Sequence, residues 1–269
     1  MSNETLTIYQ VDAFTNELFK GNPAGVCIID RELDTDLMQN IALEMNLSET
    51  AFVRQIGTSF EIRYFTPEIE VPLCGHATLG SSHILYSTGL VGKNEKIVFI
   101  AKAGELIVKK EGDWITMNFP QYFLNKIDTP SAFEQITSVR PIETYESERG
   151  WKLFLLNSED DVANISPNFE LLKQHNLGHT MVTAKSVKPG VDYVHRCFAP
   201  DAGINEDPVT GSAQCALGPF WKMKTGKSSF IANQLSKRTG VLKVNVLHER
   251  VEISGQAVTV FKADFNIRG

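Results

Sequence analysis

The chain has 269 residues, 42% hydrophobic and 22% charged, with a net charge of −6. That length holds one or two domains with an ample core, and the composition is that of a globular protein. An acidic balance without any dense Lys/Arg run argues against nucleic acid and anionic membrane as partners, and no apolar stretch approaches the ~18 residues of a spanning helix.

Met1 to Tyr9 lack the basic segment and apolar core of a signal peptide. Cys27, Cys74, Cys197 and Cys215 form no C-x-x-C pair, so neither a disulfide framework nor a zinc site is expected, and a cytoplasmic location fits. Thr5 to Phe14 alternates as a strand, Gly21-Asn22-Pro23-Ala24-Gly25 reads as a turn, and Val26 to Ile29 as the next strand. Asp34 can cap a helix whose apolar face is Leu37, Met38, Ile41, Ala42 and Met45. Thr50 to Gln55 and Ser59 to Phe65 form a predicted hairpin, and Gly75 to Thr88 a small-residue helix ended by Gly89. Lys96 to Ile100, Glu105 to Lys109 and Trp114 to Phe119 read as strands.

Gln121 to Gly150 is the least periodic stretch, and its start is taken as a linker. Lys152 to Leu156 then reads as a strand. Ser166 is the expected cap, with Pro167 at the first helical position, of a helix over Phe169 to His175. Met181 to Ser186 and Tyr193 to Phe198 are predicted strands, Ser212 to Lys224 a helix, and three or four strands follow to Phe265. Pro219 removes the amide that would bond the Cys215 carbonyl, so a kink or break is expected there, at ~3 kcal/mol if unrelieved.

The chain carries one pattern twice. Arg63-Tyr64-Phe65-Thr66-Pro67 precedes Pro72-Leu73-Cys74-Gly75-His76-Ala77, and Arg196-Cys197-Phe198-Ala199-Pro200 precedes Pro208-Val209-Thr210-Gly211-Ser212-Ala213. The offset from Pro72 to Pro208 also relates Gly104, Leu106 and Val108 to Gly240, Leu242 and Val244. Two homologous halves follow, 1–120 and 121–269, with a last strand that can cross back to the first. Each half offers a glycine at a helix start, where backbone amides suit a small anionic substrate.

Three places can carry chemistry. Glu49 stands between an amphipathic helix and an apolar strand, where burial would raise its pKa toward neutrality; a solvated or capping glutamate is the plain alternative. Cys74 and His76 flank Gly75, as a base or anion contact or as buried structural groups. Asp207 precedes Pro208 just before Gly211 and Ser212, as a catalytic carboxylate or an ordinary cap. The position equivalent to Cys74 is Thr210, which disfavours a mechanism with a thiol on each face of the substrate.

Together the segments Gly21 to Gly25, Leu47 to Phe52, Arg63 to Pro67, Pro72 to Ala77 and Glu206 to Ala213 resemble the PhzF (phenazine biosynthesis-like) family, from about Tyr9 to Val260. The resemblance implies an α+β, diaminopimelate epimerase-like fold. Two pseudo-symmetric halves each wrap a curved mixed sheet around a central helix, with the site in the cleft between them. It implies Glu49 as the proton-transfer residue and places Gly75, His76, Asp207, Gly211 and Ser212 at the family's other active-site positions. It further implies a homodimer acting on a small carboxylate-bearing substrate, with no metal and no organic cofactor. The expected activity is an isomerase or epimerase. The alternatives are a catalytically silent binding protein of the same fold and a Ser212-dependent hydrolase, although no G-x-S-x-G elbow surrounds Ser212.

Overall fold

A computed structural model describes residues 5–267. Met1 to Glu4, on which part of the expected absence of a leader rests, lie outside them. The chain forms two compact units. One takes the chain up to Asn118 together with everything from Ser254 onward, and the other is Phe119–Ile253. No helix among the described residues is long and apolar enough to cross a membrane.

The first unit opens with β1 (Thr5–Ala13), β2 (Asn22–Ile29), α1 (Thr35–Met45), β3 (Glu49–Ile56), β4 (Ser59–Phe65) and the short β5 (Glu70–Val71). It continues with α2 (Gly75–Ser87), β6 (Ile97–Ala101), β7 (Gly104–Glu111) and β8 (Trp114–Pro120). The expected turn over Gly21 to Gly25 is corrected: only Gly21 has the positive φ of a turn, and β2 starts at Asn22. Pro23 is tolerated because there the strand pairs with β1 alone; pairing with β3 begins at Ala24. Gly25 serves close approach, since a Cβ there would lie 2.7 Å from Thr50 Oγ1.

The second unit contains β9 (Leu124–Ile127), α3 (Ser131–Thr137), β10 (Glu143–Ser147), β11 (Lys152–Leu155), α4 (Glu159–Asn164) and α5 (Phe169–Gln174). Then come β12 (Thr180–Lys185), β13 (Tyr193–Phe198), α6 (Gln214–Thr225), β14 (Ser229–Gln234), β15 (Gly240–Val246) and β16 (Arg250–Gly255). The last strand, β17 (Ala257–Asn266), pairs antiparallel with β1, back in the first unit. The aperiodic stretch after Gln121 thus holds two strands and a helix, each too short to show a period. The cap of α5 is Asn168 rather than Ser166: its side chain accepts from the Leu171 amide, and Pro167 precedes the cap.

The repeat is visible in the strand pairing of each unit. β1–β2 is antiparallel, β2–β3 parallel, β3–β4 antiparallel, β4–β6 parallel and β6–β7 antiparallel. The series β10–β11, β11–β12, β12–β13, β13–β14 and β14–β15 has the same senses in the same order.

The motif R-x-F-x-P proves to be a loop clamp. Arg63 forks onto Glu70 at 2.8 and 3.0 Å, and Arg196 onto Glu206 at 2.7 and 2.9 Å. Each guanidinium also lies over the Phe two residues on, at 5.1 Å from Phe65 and 5.0 Å from Phe198. Arg196 reaches further and donates to the carbonyls of Val162, Ala163 and Ile165 around the end of α4.

The central helix of the first unit, α2, is buried on nearly every side. Its small polar residues spend their hydroxyls locally: Thr78 donates to the Cys74 carbonyl at 2.6 Å and meets Tyr64 Oη at 2.6 Å. Gly255 lets strand and helix close up, because a Cβ there would lie 2.4 Å from Phe14 Cδ1 and 2.7 Å from Leu79 Cδ1.

Its counterpart α6 runs unbroken through Pro219, so the break among the expected outcomes does not occur. The reason is a substitute donor: the backbone N–H of Tyr122 bonds the Cys215 carbonyl at 2.8 Å. Gly218 faces β15, where a Cβ would lie 2.9 Å from Val244 Cγ1. Gln214 anchors the helix by accepting from Tyr193 Oη and pairing with His195 Nε2, at 2.6 and 2.9 Å.

Candidate active site

Glu49 is placed by two junctions. Helix α1 ends at Asn46, whose left-handed φ of 50° turns the chain while its N–H bonds the Ala42 carbonyl. Glu49 then opens β3 opposite Ala24 of β2, with its side chain 16% exposed. Cys74 is the extended residue just before α2, with φ −143°, and makes no side-chain cap. Gly75 is the first helical residue, and a Cβ on it would meet nothing within 4 Å, so there is open space beside it.

The fold therefore brings Glu49, Cys74 and His76 together within the first unit. His76 Nε2 lies 3.1 Å from Glu49 Oε2, and Cys74 Sγ lies 3.4 Å from His76 Nδ1. The carboxylate contact is close, but Glu49 Oε2 still has no aligned hydrogen bond, so the attraction is mainly one of charge.

Burial pushes Glu49 up, but the His76 charge and close polar contact with His76 and Cys74 outweigh it, and the carboxyl sits below its ordinary range. This corrects the expectation of a carboxyl raised toward neutrality, which considered burial without the imidazole. For His76 burial favours the neutral ring, yet its close contacts with Cys74 and Glu49 prevail and hold its pKa well above the usual imidazole value. Burial, reinforced by the Glu49 charge, pushes the Cys74 thiol up. We take Cys74 as a thiol, and Glu49 with His76 as a carboxylate–imidazolium pair: a ready base beside a ready acid.

Asp207, Gly211 and Ser212 lie in the second unit. Asp207 Oδ2 accepts from Thr210 Oγ1 at 2.6 Å. Gln234, fully buried at the end of β14, fixes this turn: it donates to the Asp207 carbonyl at 2.6 Å and accepts from the Thr210 amide at 2.8 Å. Gly211 is buried and Ser212 exposed. Both precede α6, which starts at Gln214 rather than at the expected Ser212, after a turn in which the Gln214 amide bonds the Gly211 carbonyl at 3.0 Å. The two helix starts thus differ, for Gly75 is inside its helix and Gly211 is not. Sequence reasoning missed Gln234, and only its place at the end of an alternating strand hints at burial. It saw Cys74 and His76 as neighbours in the chain but not their convergence on Glu49.

An α+β fold of repeated units is epimerase-like, and here it brings a carboxylate and an imidazole into contact at a helix start. A hydroxyproline epimerase from Agrobacterium vitis shares the fold, with a TM-score of 0.61 at 10% identity over 98% of this chain and 92% of that one. The family model for phenazine biosynthesis-like proteins matches residues 11–263, and the chain belongs to that family. It is 43% identical to an uncharacterized isomerase of Halalkalibacterium halodurans over 97% of this chain and 98% of that one. An uncharacterized isomerase of Pseudomonas aeruginosa is 41% identical over 95% and 96%. The crystal structure of a PhzF-family phenazine biosynthesis protein from Enterococcus faecalis matches with a TM-score of 0.93 and 38% identity, over 97% of this chain and 99% of that one.

Proposed function

We propose that the chain is an isomerase that moves a proton on a small carboxylate-bearing substrate, with Glu49 taking the proton and returning it elsewhere. The observation that carries this reading is the Glu49–His76 contact of 3.1 Å beside the open space at Gly75, the first residue of α2. Relatives named isomerases, aligned over almost the whole of both chains, support the class.

In this mechanism Glu49 removes a proton from a carbon next to the substrate's carboxylate. The C–H electron pair moves toward the carboxylate, and the charge that develops there is met by the N–H groups at the start of α2 and by the His76 imidazolium. In a substrate with a C=C next to the deprotonated carbon, protonated Glu49 then gives the proton to the far carbon of that double bond, whose electron pair takes it while the double bond moves to the carbon that lost its proton. No external oxidant or reductant takes part. Asp207 is assigned to positioning the substrate, and Gly75, Gly211 and Ser212 to binding it, as part of the same proposal. A hydrolase reading gains nothing, because within its unit His76 is engaged by Glu49 and Cys74 and not by a serine.

The test is solvent deuterium exchange into a panel of small carboxylates and amino acids, followed by NMR. Glu49→Gln keeps the shape but cannot carry a proton, so it should bind a verified substrate and lose exchange by at least ~10²-fold. Exchange at the unsubstituted rate would refute the assignment. Binding without exchange in the unsubstituted protein would identify a silent binding protein instead.

A further inference from the structure

Cysteine spacing gives no metal motif, yet the fold assembles one. Glu49, Cys74 and His76 each offer one ligand atom, and these atoms all lie within 4.8 Å of one another. Carboxylate oxygen, thiolate sulfur and imidazole nitrogen make up the donor set of a borderline-soft divalent cation, Zn²⁺ above all.

The spacing fits. Zinc–ligand lengths of ~2.3 Å for sulfur and ~2.0–2.1 Å for nitrogen and oxygen put neighbouring ligands of a tetrahedral ion roughly 3.3–3.6 Å apart. His76 Nε2 stands 3.1 Å from Glu49 Oε2 and 3.9 Å from Cys74 Sγ, on either side of those values. To centre an ion, side-chain rotations would have to bring all three atoms, which lie within 4.8 Å of one another, to those separations. An independent observation is that Glu49 Oε2 is buried without an aligned hydrogen-bond donor, which leaves a lone pair available on this atom of the triad. Three protein ligands leave a fourth position for water, and the partly exposed Glu49 offers the way in. The positive end of α2 opposes a cation, but it also favours the thiolate, and the ligands bring two negative charges.

We propose that Glu49, Cys74 and His76 form a Zn²⁺ site, and that zinc bound there switches off proton transfer. On binding, the Cys74 thiol and the His76 imidazolium each release a proton to solvent, and the oxidation state of the metal is unchanged. Glu49 then gives its lone pair to the ion and can no longer take the substrate proton. The inhibitory half of the proposal rests on Glu49 being the proton-transfer group; the binding half does not.

The experiment uses the full chain stripped of metal. Zinc chloride is titrated in competition with a chromophoric chelator, and deuterium exchange is followed in parallel. One zinc should bind per chain, exchange should fall in proportion to occupancy, and added chelator should restore it. Cobalt(II) should give a thiolate-to-metal charge-transfer band in the unsubstituted protein. Cys74→Ser should weaken zinc binding by at least ~100-fold, beyond what loss of an outer-shell partner usually costs. Half-inhibition, measured against the variant's own zinc-free rate, should move by the same factor. No zinc binding, a cobalt complex without the band, or undiminished affinity in Cys74→Ser would overturn the site and leave the Glu49→Gln result untouched. Zinc held by the triad with exchange undiminished would overturn the inhibition and, with it, the role given to Glu49.

Discussion

Arg196→Ala should cost far more stability than Arg63→Ala, although the two arginines occupy equivalent positions in the repeat. The Arg63–Glu70 pair is 25% and 22% exposed and closes one loop, with one further bond, at 3.1 Å, to Thr35 Oγ1. A partly exposed pair that serves little else contributes about 1 kcal/mol, a little more for its bidentate geometry. Arg196 is 12% exposed against 20% for Glu206 and also serves three carbonyls, the shortest contact being 2.7 Å to Ile165. Glu206 is about as exposed as Glu70, so the difference lies in the more buried guanidinium and in the three carbonyls that its removal strands together with the carboxylate. Breaking a buried pair costs roughly 3–5 kcal/mol, and since Glu206 can draw in some water we expect about 3 kcal/mol. Urea unfolding followed by tryptophan fluorescence measures the difference, with Trp151 and Trp221 reporting on the unit that contains Arg196. Arg196→Lys keeps the charge without the fork and should recover less than half of the loss. If Arg196→Ala cost no more than Arg63→Ala, or if lysine restored full stability, the clamp would not work as described.

Cys74→Ala should keep proton exchange within about tenfold of the unsubstituted rate, because Glu49 and His76 carry the proton chemistry; a loss as deep as that of Glu49→Gln, with the fold intact by circular dichroism, would contradict this. The pH profile of kcat/KM should hold its plateau from below 4.5, the ordinary value for glutamate, to above 6.5, that for histidine, because Glu49 is held down and His76 up. In His76→Gln burial meets less opposition, so the acidic limb should move to higher pH; an unmoved limb would detach Glu49 from His76. Stability should follow the same signs: the Glu49 contribution is complete above 4.5 and lost as pH falls through its lower folded value, while that of His76 is complete below 6.5 and lost as pH rises through its higher one. Gly255→Ala should destabilise by about 1–3 kcal/mol through overpacking against Phe14 and Leu79, both fully buried, and a neutral result in urea would show that these side chains can yield.

The paired R-x-F-x-P segments disclosed the repeat because they are local strings, yet they did not disclose its use. Glu70 and Glu206 are loop glutamates of a common kind, and only the fold shows that each lies under an arginine fork. The position of Glu49 was legible from the helix and strand around it. Its charge state was not, since that depends on an imidazole brought in from the start of another helix. At Pro219 the local rule was right about the lost amide, but the helix does not break, because the replacement donor lies far upstream in the chain. The stretch after Gln121 stayed opaque because four or five strand residues, and a helix of seven, cannot express a period.

The bond from Tyr122 to Cys215 sets a limit on how the chain can be divided. A cut made anywhere in the apparent linker after Gln121 would remove the donor and leave a carbonyl orphaned in the middle of α6. Any fragment meant to fold as the second unit therefore has to begin before Tyr122. During synthesis that tyrosine leaves the ribosome well ahead of the helix it completes, so its amide is waiting when Pro219 arrives. A proline that would trouble an isolated peptide is thereby made dependent on tertiary structure: the helix is whole only once the unit has closed around it.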